Sequence, residues 1–560
     1  MQWRALCVAA LLALSPGPAV ATTILINAHI HTMDPQQPDA TALAWDESGK
    51  LIAVGEAHAL QQQYGDARRV DAGGAVVVPG LIDAHGHMLD LGMFLTQANL
   101  VGAVSRADAL ARLEKFAAHL PNGAWLIGNG WDQNDWPDKH FPTAADLDTA
   151  FPDRPVFLNR IDGHAAWVNS VAMKRAKKSL DGDWQPDGGH IERLGGKATG
   201  VLVDNAVGLV AQAIPPMSDA QKRAAYKAAF ADVIADGLTG VGDARIDLAD
   251  FRILQAMDQA GEIPLRLYEF AYGAPALDWL CAQGGHWNDR TGHLRMRTLK
   301  QFMDGALGSR GAALLADYSD DAGNRGLFVT SPADYLAAVQ KAHGCGIQVA
   351  THAIGDRANR HVLDVYARVL GKDATTTDHR WRIEHAQVVA LSDIPRFASL
   401  HLIASMQPTH ATSDMPWAER RLGKDRLKGA YAWQRFLHAG VPLAFGSDFP
   451  VESSNPMLGI YAAVTRQDLA GQPPGGWLPD QRVSRKQALA GFTTGAAYAQ
   501  FMENEVGMLK PGLRADFVIL DADPMTATVR RIADIKPLST WVDGKPIYRS
   551  HAQTATRVAD

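Results

Sequence analysis

Two histidines separated by a single residue are the first feature of this sequence that could do chemistry. His85 and His87 follow an apolar segment at 75–83 that is typical of a buried strand. Because side chains two residues apart on a strand share a face, both imidazoles can point to one centre. Gly86 between them would let the backbone pass close to a bound group. Such a pair alone is weak evidence, although imidazoles are common zinc ligands.

Three more residues of metal-binding type stand at or just after the ends of apolar segments. His352 and His385 each end such a segment, and Asp448 follows a third one. Parallel β/α barrels build their sites at the carboxyl ends of the strands. Each residue alone could be an ordinary buried side chain or a helix cap, but chance explains poorly why all five hold equivalent positions. The pattern predicts a site for one or two divalent cations per chain, with zinc favoured.

The elements that must position these residues alternate short apolar runs with amphipathic stretches, which is typical of βα units around a parallel sheet. Strand candidates lie at 75–83, 238–243, 298–304, 347–352, 381–385, 402–406 and 442–445, and helix candidates at 219–235, 332–343 and 356–369.

The remaining parts of the chain have a different texture. Short β patterns fill 22–78 and 506–560, so we expect both ends to form one small β domain beside a barrel at 79–505. The stretch from about 100 to 213 is rich in Trp, Pro and Gly and is interpreted as an insertion. Residues 1–21 are predicted to be a signal peptide.

The signal prediction depends on three features: Arg4, an apolar run at 5–14, and small residues at 19–21. The run is short for the alternative, an uncleaved membrane anchor, and no later stretch is apolar and long enough to span a bilayer. We therefore expect a secreted or periplasmic protein. Cys281 and Cys345 remain in the mature chain, as buried thiols or as a disulfide.

Composition restricts the classes of function. The 560 residues are 47% hydrophobic and 20% charged, which is ordinary for a globular protein and excludes disordered and fibrous classes. The formal charge of −6, without a long basic run, excludes nucleic acid as an expected partner. We expect a small-molecule substrate and no membrane contact after signal cleavage; a homodimer stays open.

The pattern His-x-His … Lys … His … His … Asp resembles the amidohydrolase superfamily. Further motifs resemble its family 3 branch, typified by N-substituted formamide deformylases. They are Gly130-Trp131-Asp132, Arg160-Ile161-Asp162-Gly163-His164, Asp304-Gly305-Ala306-Leu307-Gly308-Ser309, Thr351-His352-Ala353-Ile354-Gly355-Asp356 and Gly446-Ser447-Asp448-Phe449-Pro450. The resemblance covers nearly the whole mature chain. It implies an α/β fold, a (β/α)8 TIM-like barrel with a small β-sandwich formed by both termini, and hydrolysis of a C–N bond by metal-activated hydroxide.

The resemblance also implies roles for single residues. His85 and His87 would hold one metal ion, and His352 and His385 a second. Asp448 would contact the first ion and take a proton from the attacking water.

Lys300 occupies the position of the ligand that bridges the two ions. A bare ammonium group there would be repelled by cations, so we favour its conversion by CO2 to a carbamate, a carboxylysine. The alternative is an ion pair between Lys300 and Asp304, which would leave a mononuclear site.

Five further residues are tentative substrate contacts: His164, Asp304, Arg310, His410 and Trp131. Each histidine is equally well explained as a structural residue, and tryptophans in an insertion are more often part of a core.

Rival functions use the same or a related site. The amide substrate is favoured as a non-peptide amide, formamide or N-acyl compound, while deamination and ester hydrolysis need the same metal chemistry. A secreted metal- or ligand-binding protein without turnover would not require Asp448. A glycoside hydrolase would need two carboxylates and has no use for four histidines.

Overall fold

A computed structural model describes residues 22–161, 165–187 and 189–550. The predicted signal peptide and His164 lie outside these described residues. Within them, no helix is both long and apolar enough to cross a membrane.

The central element is a sheet of eight parallel strands that follow one another in chain order around a barrel. They are β1 Leu81–Gly86, β2 Leu238–Ile246, β3 Arg266–Ala271, β4 Leu294–Phe302, β5 Gln348–Ala353, β6 Arg382–His385, β7 Ile403–Met406 and β8 Leu443–Phe445. The barrel closes where the Asp448 backbone N–H, just after β8, donates to the His85 oxygen of β1 at 2.7 Å. A short strand, Trp287–Asn288, pairs antiparallel with β4. The predicted α/β barrel is therefore confirmed.

Helices alternate with the barrel strands and cover their outer face. Their starts follow local sequence signals; for example, Ser218 caps the helix Asp219–Ala235 in a capping box with Gln221. The helices of the whole described chain, inside and outside the barrel, are Ala57–Gln63, Met88–Leu95, Arg106–Ala117, Ala144–Ala150, Ser170–Met173, Gly208–Ala211, Asp219–Ala235, Leu248–Gln259, Gly273–Ala282, Pro332–Gly344, Asp356–Leu370, Asp373–Thr376, Ile394–Ser399, Pro408–Asp414, Ala418–Arg426, Trp433–His438, Pro456–Thr465, Arg485–Gly491, Thr494–Ala499 and Val529–Ile532. There are 3-10 turns at Gln133–Asp135, Leu427–Gly429 and Pro479–Gln481.

Two further sheets form the β-sandwich, and one of them combines strands from both ends of the chain. The four-stranded sheet has the order Leu51–Gly55, Ala42–Trp45, Thr23–Ile26 and Arg68–Asp71. The six-stranded sheet has the order Lys545–Arg549, Pro537–Val542, Phe517–Leu520, Val76–Pro79, His29–His31 and Asp39–Ala40. Their shared core includes Trp45, Phe517 and Trp541.

The segment between β1 and β2 carries a sheet of its own. Its strands, in spatial order, are Gly189–Leu194, Lys197–Asp204, Ala165–Val168, Val156–Arg160, Leu126–Trp131 and Ala98–Asn99. Trp131, Trp136 and Trp167 pack together in a core beside this sheet. The many tryptophans of this stretch therefore serve its own folding.

The two cysteines of the described chain are joined. Cys281, at the end of the helix Gly273–Ala282, forms a disulfide with Cys345, which follows the helix Pro332–Gly344. The bond ties together two outer helices of the barrel.

Candidate metal centre

His85 and His87 reach the centre from the end of β1. His85 is the fifth residue of the strand and is fully buried, whereas His87 immediately precedes the helix Met88–Leu95. A Cβ on Gly86 would lie 2.4 Å from the ring of Phe449. The glycine is therefore needed for the approach of Phe449.

Asp448 faces both of these histidines. One carboxylate oxygen, Oδ1, lies 2.9 Å from His87 Nε2 and 3.5 Å from His85 Nε2. The three side chains offer ligand atoms that all lie within 4.8 Å of one another. This spacing allows the three residues to share one cation after small adjustments.

His352 and His385 stand on the adjacent strands β5 and β6, and their ring centroids are 4.5 Å apart. The His385 ring is also 5.0 Å from that of His85. His410, on the helix Pro408–Asp414, places Nε2 3.7 Å from the second oxygen of Asp448. His385, His410 and Asp448 form a second group with ligand atoms within 4.8 Å. The structure thus brings together the five residues predicted from strand ends and adds His410.

Two residues that sequence reasoning missed hold the imidazoles in place. His85 Nδ1 lies 2.5 Å from Glu384 Oε2, and His385 Nδ1 lies 2.7 Å from Gln407 Oε1. Because both oxygens accept, each Nδ1 carries the proton and each Nε2 keeps its lone pair for a cation. Glu384 was detectable as a charged residue directly before the predicted ligand His385 on the same strand; Gln407 gave no comparable signal.

The electrostatics favour neutral imidazoles. Burial, with help from the Lys300 charge, lowers the pKa of His85 to about 4 and that of His352 to about 3. Burial also lowers the pKa of His385 well below its usual value. At neutral pH these rings are uncharged, which is the form that binds metal ions.

Two buried carboxylates stay ionised beside them. Burial alone would raise the pKa of Asp448, but its contact with His87 and the neighbouring His85 hold the pKa well below its usual value. Burial would likewise raise the pKa of Glu384, but the Arg382 guanidinium and His85 hold it low. The centre therefore combines the neutral imidazoles of His85, His352 and His385 with the negative carboxylate of Asp448.

Lys300 lies inside the same group, with Nζ 3.2 Å from His85 Nε2. Burial lowers its pKa to about 8. The alternative partner, Asp304, is engaged elsewhere: its carboxylate accepts the backbone N–H groups of Ala313, Ile354 and Gly355 at 2.8–2.9 Å. The structure therefore shows no Lys300–Asp304 ion pair.

The donor set fits a divalent cation. Nε2 of His352 and Nε2 of His410 are buried and have no hydrogen-bond partner. Leaving buried polar atoms unpaired is costly, and a cation between these rings and Asp448 would satisfy them. Two ligand groups that share Asp448 are placed to hold cations: one contains His85 and His87, and the other contains His385 and His410. His352 and Lys300 adjoin these groups.

Most of the residues expected to contact substrate lie in positions that do not suit this role. Trp131 is fully buried and donates its indole N–H to the Leu158 oxygen, so its side chain offers a substrate no surface. Asp304 is also buried and organises the loop around it. Arg310 is committed to Asp320 through two hydrogen bonds. Among the described candidates, His410 lies 3.7 Å from Asp448, and Asp304 places Oδ1 3.7 Å from His352 Nε2; His164 lies outside the described residues.

Comparison with known proteins agrees with this geometry. A model of the amidohydrolase family matches residues 68–548. Protein LONG AFTER FAR-RED 3 of Arabidopsis thaliana is 34% identical over 551 residues, 95% of this chain and 92% of that protein. An N-substituted formamide deformylase of Arthrobacter pascens is 29% identical over 542 residues, 93% of this chain and 97% of that enzyme.

A solved structure shows the same fold along nearly the whole chain. An uncharacterized metal-dependent hydrolase from Pyrococcus horikoshii has a TM-score of 0.77 and 27% identity, covering 91% of this chain and 99% of that one. The predicted resemblance is confirmed. The chain belongs to the amidohydrolase family, as a metal-dependent hydrolase that acts on C–N bonds.

Proposed function

We propose that this hydrolase cleaves a formamide, N-acyl or other non-peptide amide bond of a small molecule, with zinc as its metal. The single observation that carries the proposal is the convergence of neutral imidazoles on the ionised Asp448 at the barrel strand ends. The deformylase relative supports a formamide or N-acyl substrate.

Asp448 is the proton carrier of the proposed reaction. A divalent cation supplies acidification of a water molecule towards neutral pH and polarisation of the substrate carbonyl. Asp448 accepts the proton of the attacking water and delivers it to the leaving nitrogen. His410, whose Nε2 lies 3.7 Å from Asp448, would serve with His385 as a ligand of the cation.

Lys300 is proposed to carry a carbamate. Its lowered pKa, about 8, leaves a useful fraction of neutral amine, whose nitrogen bonds to the carbon of CO2 and then loses a proton. The resulting anion would extend the donor set beside His85 and allow a second ion.

Export to the periplasm or the cell exterior is part of the proposal. The disulfide between Cys281 and Cys345 supports it, because such bonds persist in oxidising compartments and are rare in the cytosol.

The test is an activity screen of the zinc-loaded protein against N-formyl, N-acyl, cyclic-amide and ester panels. We expect turnover of amides, its loss on chelation, and its return with zinc. Asp448→Asn should lower kcat by roughly 10²–10⁴-fold, because general-base catalysis contributes about that much. Asp425→Asn, at an exposed residue paired with Lys428, is the matched control and should leave kcat unchanged. Ester turnover without amide turnover, or full activity of Asp448→Asn, would overturn the proposal.

A further inference from the structure

A second group of metal-ligand residues lies on the six-stranded sheet of the β-sandwich. His29 and His31 flank the buried Ile30 on one short strand and therefore share a face of the sheet, with ring centroids 4.8 Å apart. Asp523, which follows the strand Phe517–Leu520 of the same sheet, places Oδ1 3.0 Å from His31 Nε2. Ligand atoms of His29, His31 and Asp523 all lie within 4.8 Å of one another.

The hydrogen-bonding capacity of His31 carries the argument. Its Nδ1 lies 3.1 Å from Asp39 Oδ1 on the adjacent strand, and its Nε2 lies 3.0 Å from Asp523 Oδ1. A neutral imidazole has one N–H, so only one of these carboxylates can receive a hydrogen bond from it. If Nδ1–H donates to Asp39, the lone pair of Nε2 faces a negative oxygen, which is unfavourable unless a cation lies between them.

We propose that His29, His31 and Asp523 bind a zinc-type divalent cation, with Asp39 as the positioning residue that fixes the tautomer of His31. A carboxylate, an imidazole and a metal ion in line are a recurrent arrangement in zinc sites. Two nitrogen donors and one oxygen donor suit zinc, and solvent can complete the tetrahedron.

The site is partly prepared in advance. The carboxylate of Asp523 accepts the Met525 backbone N–H at 2.8 Å and the Thr526 hydroxyl at 2.9 Å, and its side chain is 13% exposed. His31 is similarly shielded, at 15%. His29 is exposed and free to rotate onto the cation from the solvent side. The ion would join an N-terminal strand to a residue 492 positions later in the chain.

Metal content of the full-length protein, dialysed against micromolar zinc and measured by mass spectrometry, tests this site. We expect His29→Ala to bind one zinc ion fewer per chain than the unsubstituted protein, and to hydrolyse substrate at the same rate. The unsubstituted protein should also gain an increment of Tm on zinc addition that His29→Ala lacks, because an ion that binds only the folded state stabilises it.

The control is His58→Ala, which removes another exposed histidine of the β-sandwich, on the helix Ala57–Gln63. It should keep the full zinc content. His31→Ala is a second variant, expected to lose the same single ion. Equal zinc content in the unsubstituted protein and in His29→Ala would overturn the proposal. An equal loss in His58→Ala would also overturn it, because the loss would not be specific to this site.

Discussion

Asp448 and His385 both adopt backbone conformations that amino acids with side chains seldom use. Their φ angles are 63° and 70°, in the left-handed region. Such conformations cost of the order of 1–3 kcal/mol each and persist only where the surroundings enforce them. For Asp448 the enforcement is visible, because its N–H donates to the His85 oxygen and its carboxylate meets His87. The strained conformations of Asp448 and His385 therefore lower the stability of the fold but direct both side chains to the metal centre.

Gln407 is the residue whose removal should test the positioning of the imidazoles most cleanly. Its Oε1 holds His385 Nδ1–H, while its Nε2 is buried without a partner, so Gln407→Leu leaves no new unpaired charge. We expect a loss of zinc affinity of roughly 10–100-fold, the usual effect of removing such a support. Zinc competition titration with a chromogenic chelator measures it.

Gln434→Leu is the comparison for that substitution. Gln434, on the outer helix Trp433–His438, donates to the Arg482 backbone oxygen. If Gln407→Leu binds zinc as tightly as Gln434→Leu and the unsubstituted protein, Gln407 is not needed to orient His385.

At this scale the sequence predicts ligands better than their supports. His352 and His385 were recognisable because each follows an apolar run, and a parallel barrel makes all strand ends converge. Gln407 could not be recognised, since its role depends on how β6 and β7 align across the sheet. Trp131 lies in a motif shared with the family, yet it packs inside the insertion, and a motif does not reveal which way a side chain faces.

The pairing of β2 with β3 produces a buried acidic pair. Asp243 and Glu269 are register partners on these strands, and both side chains are buried. Burial raises the pKa of both carboxyls. The charge of Asp243 and its hydrogen bond raise the pKa of Glu269 further, whereas the hydrogen bond with Glu269 lowers the pKa of Asp243. The pair therefore retains a proton at pH values where the unfolded chain has released it.

This retained proton should make stability fall as pH rises. A carboxyl group whose pKa is higher in the folded than in the unfolded protein contributes to the free energy of unfolding. This contribution is complete below pH ~4, the pKa range of the unfolded groups, and is lost as pH rises through the pKa of the folded group. For Asp243 that value is about 7. Glu269→Gln keeps a hydrogen-bond donor towards Asp243 but cannot ionise. We expect the Tm of Glu269→Gln to decline less between about pH 5 and 8 than the Tm of the unsubstituted protein. At pH 8 the difference should correspond to about 1–3 kcal/mol in the free energy of unfolding.

Calorimetry of both proteins across this pH range measures the slope. Glu262→Gln provides the comparison, because Glu262 lies at the surface against Arg223 and that hydrogen bond lowers its pKa to about 2, outside the window. Parallel Tm curves for Glu269→Gln and the unsubstituted protein would show that the pair holds no proton.

Most barrel strands were predicted, including β6 with its buried Arg382 and Glu384, but β3 and the start of β4 were not. The helix Asp219–Ala235 has the predicted bounds, because its cap and its apolar face are both local signals. β3 was missed, since Arg266 and Glu269 interrupt its apolar pattern. β4 begins earlier than predicted, at Leu294, because its polar Arg295 pairs with Glu505 from a distant segment. Partners from remote segments are not readable locally.

Arg266 connects the barrel to the β-sandwich at the end of β3 opposite the metal centre. Its guanidinium is 2% exposed and makes two hydrogen bonds to Asp516, at 2.8 and 3.0 Å, and one to Asp543, at 2.7 Å. These carboxylates come from the C-terminal part of the sandwich, 250 and 277 positions later. Burial would lower the pKa of Arg266, but the two carboxylates raise it, so the charge is permanent.

Removing this charge should therefore lower the free energy of unfolding without changing catalytic activity. Arg266→Met leaves the buried Asp516 without its cation, which costs about 3–5 kcal/mol for a buried pair, whereas Asp543 keeps its contact with Arg514. Urea unfolding should show that loss, whereas Arg223→Met, which breaks only the surface pair with Glu262, should cost below about 1 kcal/mol. Equal unfolding midpoints for the two variants would show that the sandwich is held by its apolar contacts alone. Because the metal centre lies at the opposite ends of the strands, kcat of folded Arg266→Met should match that of the unsubstituted enzyme at low temperature.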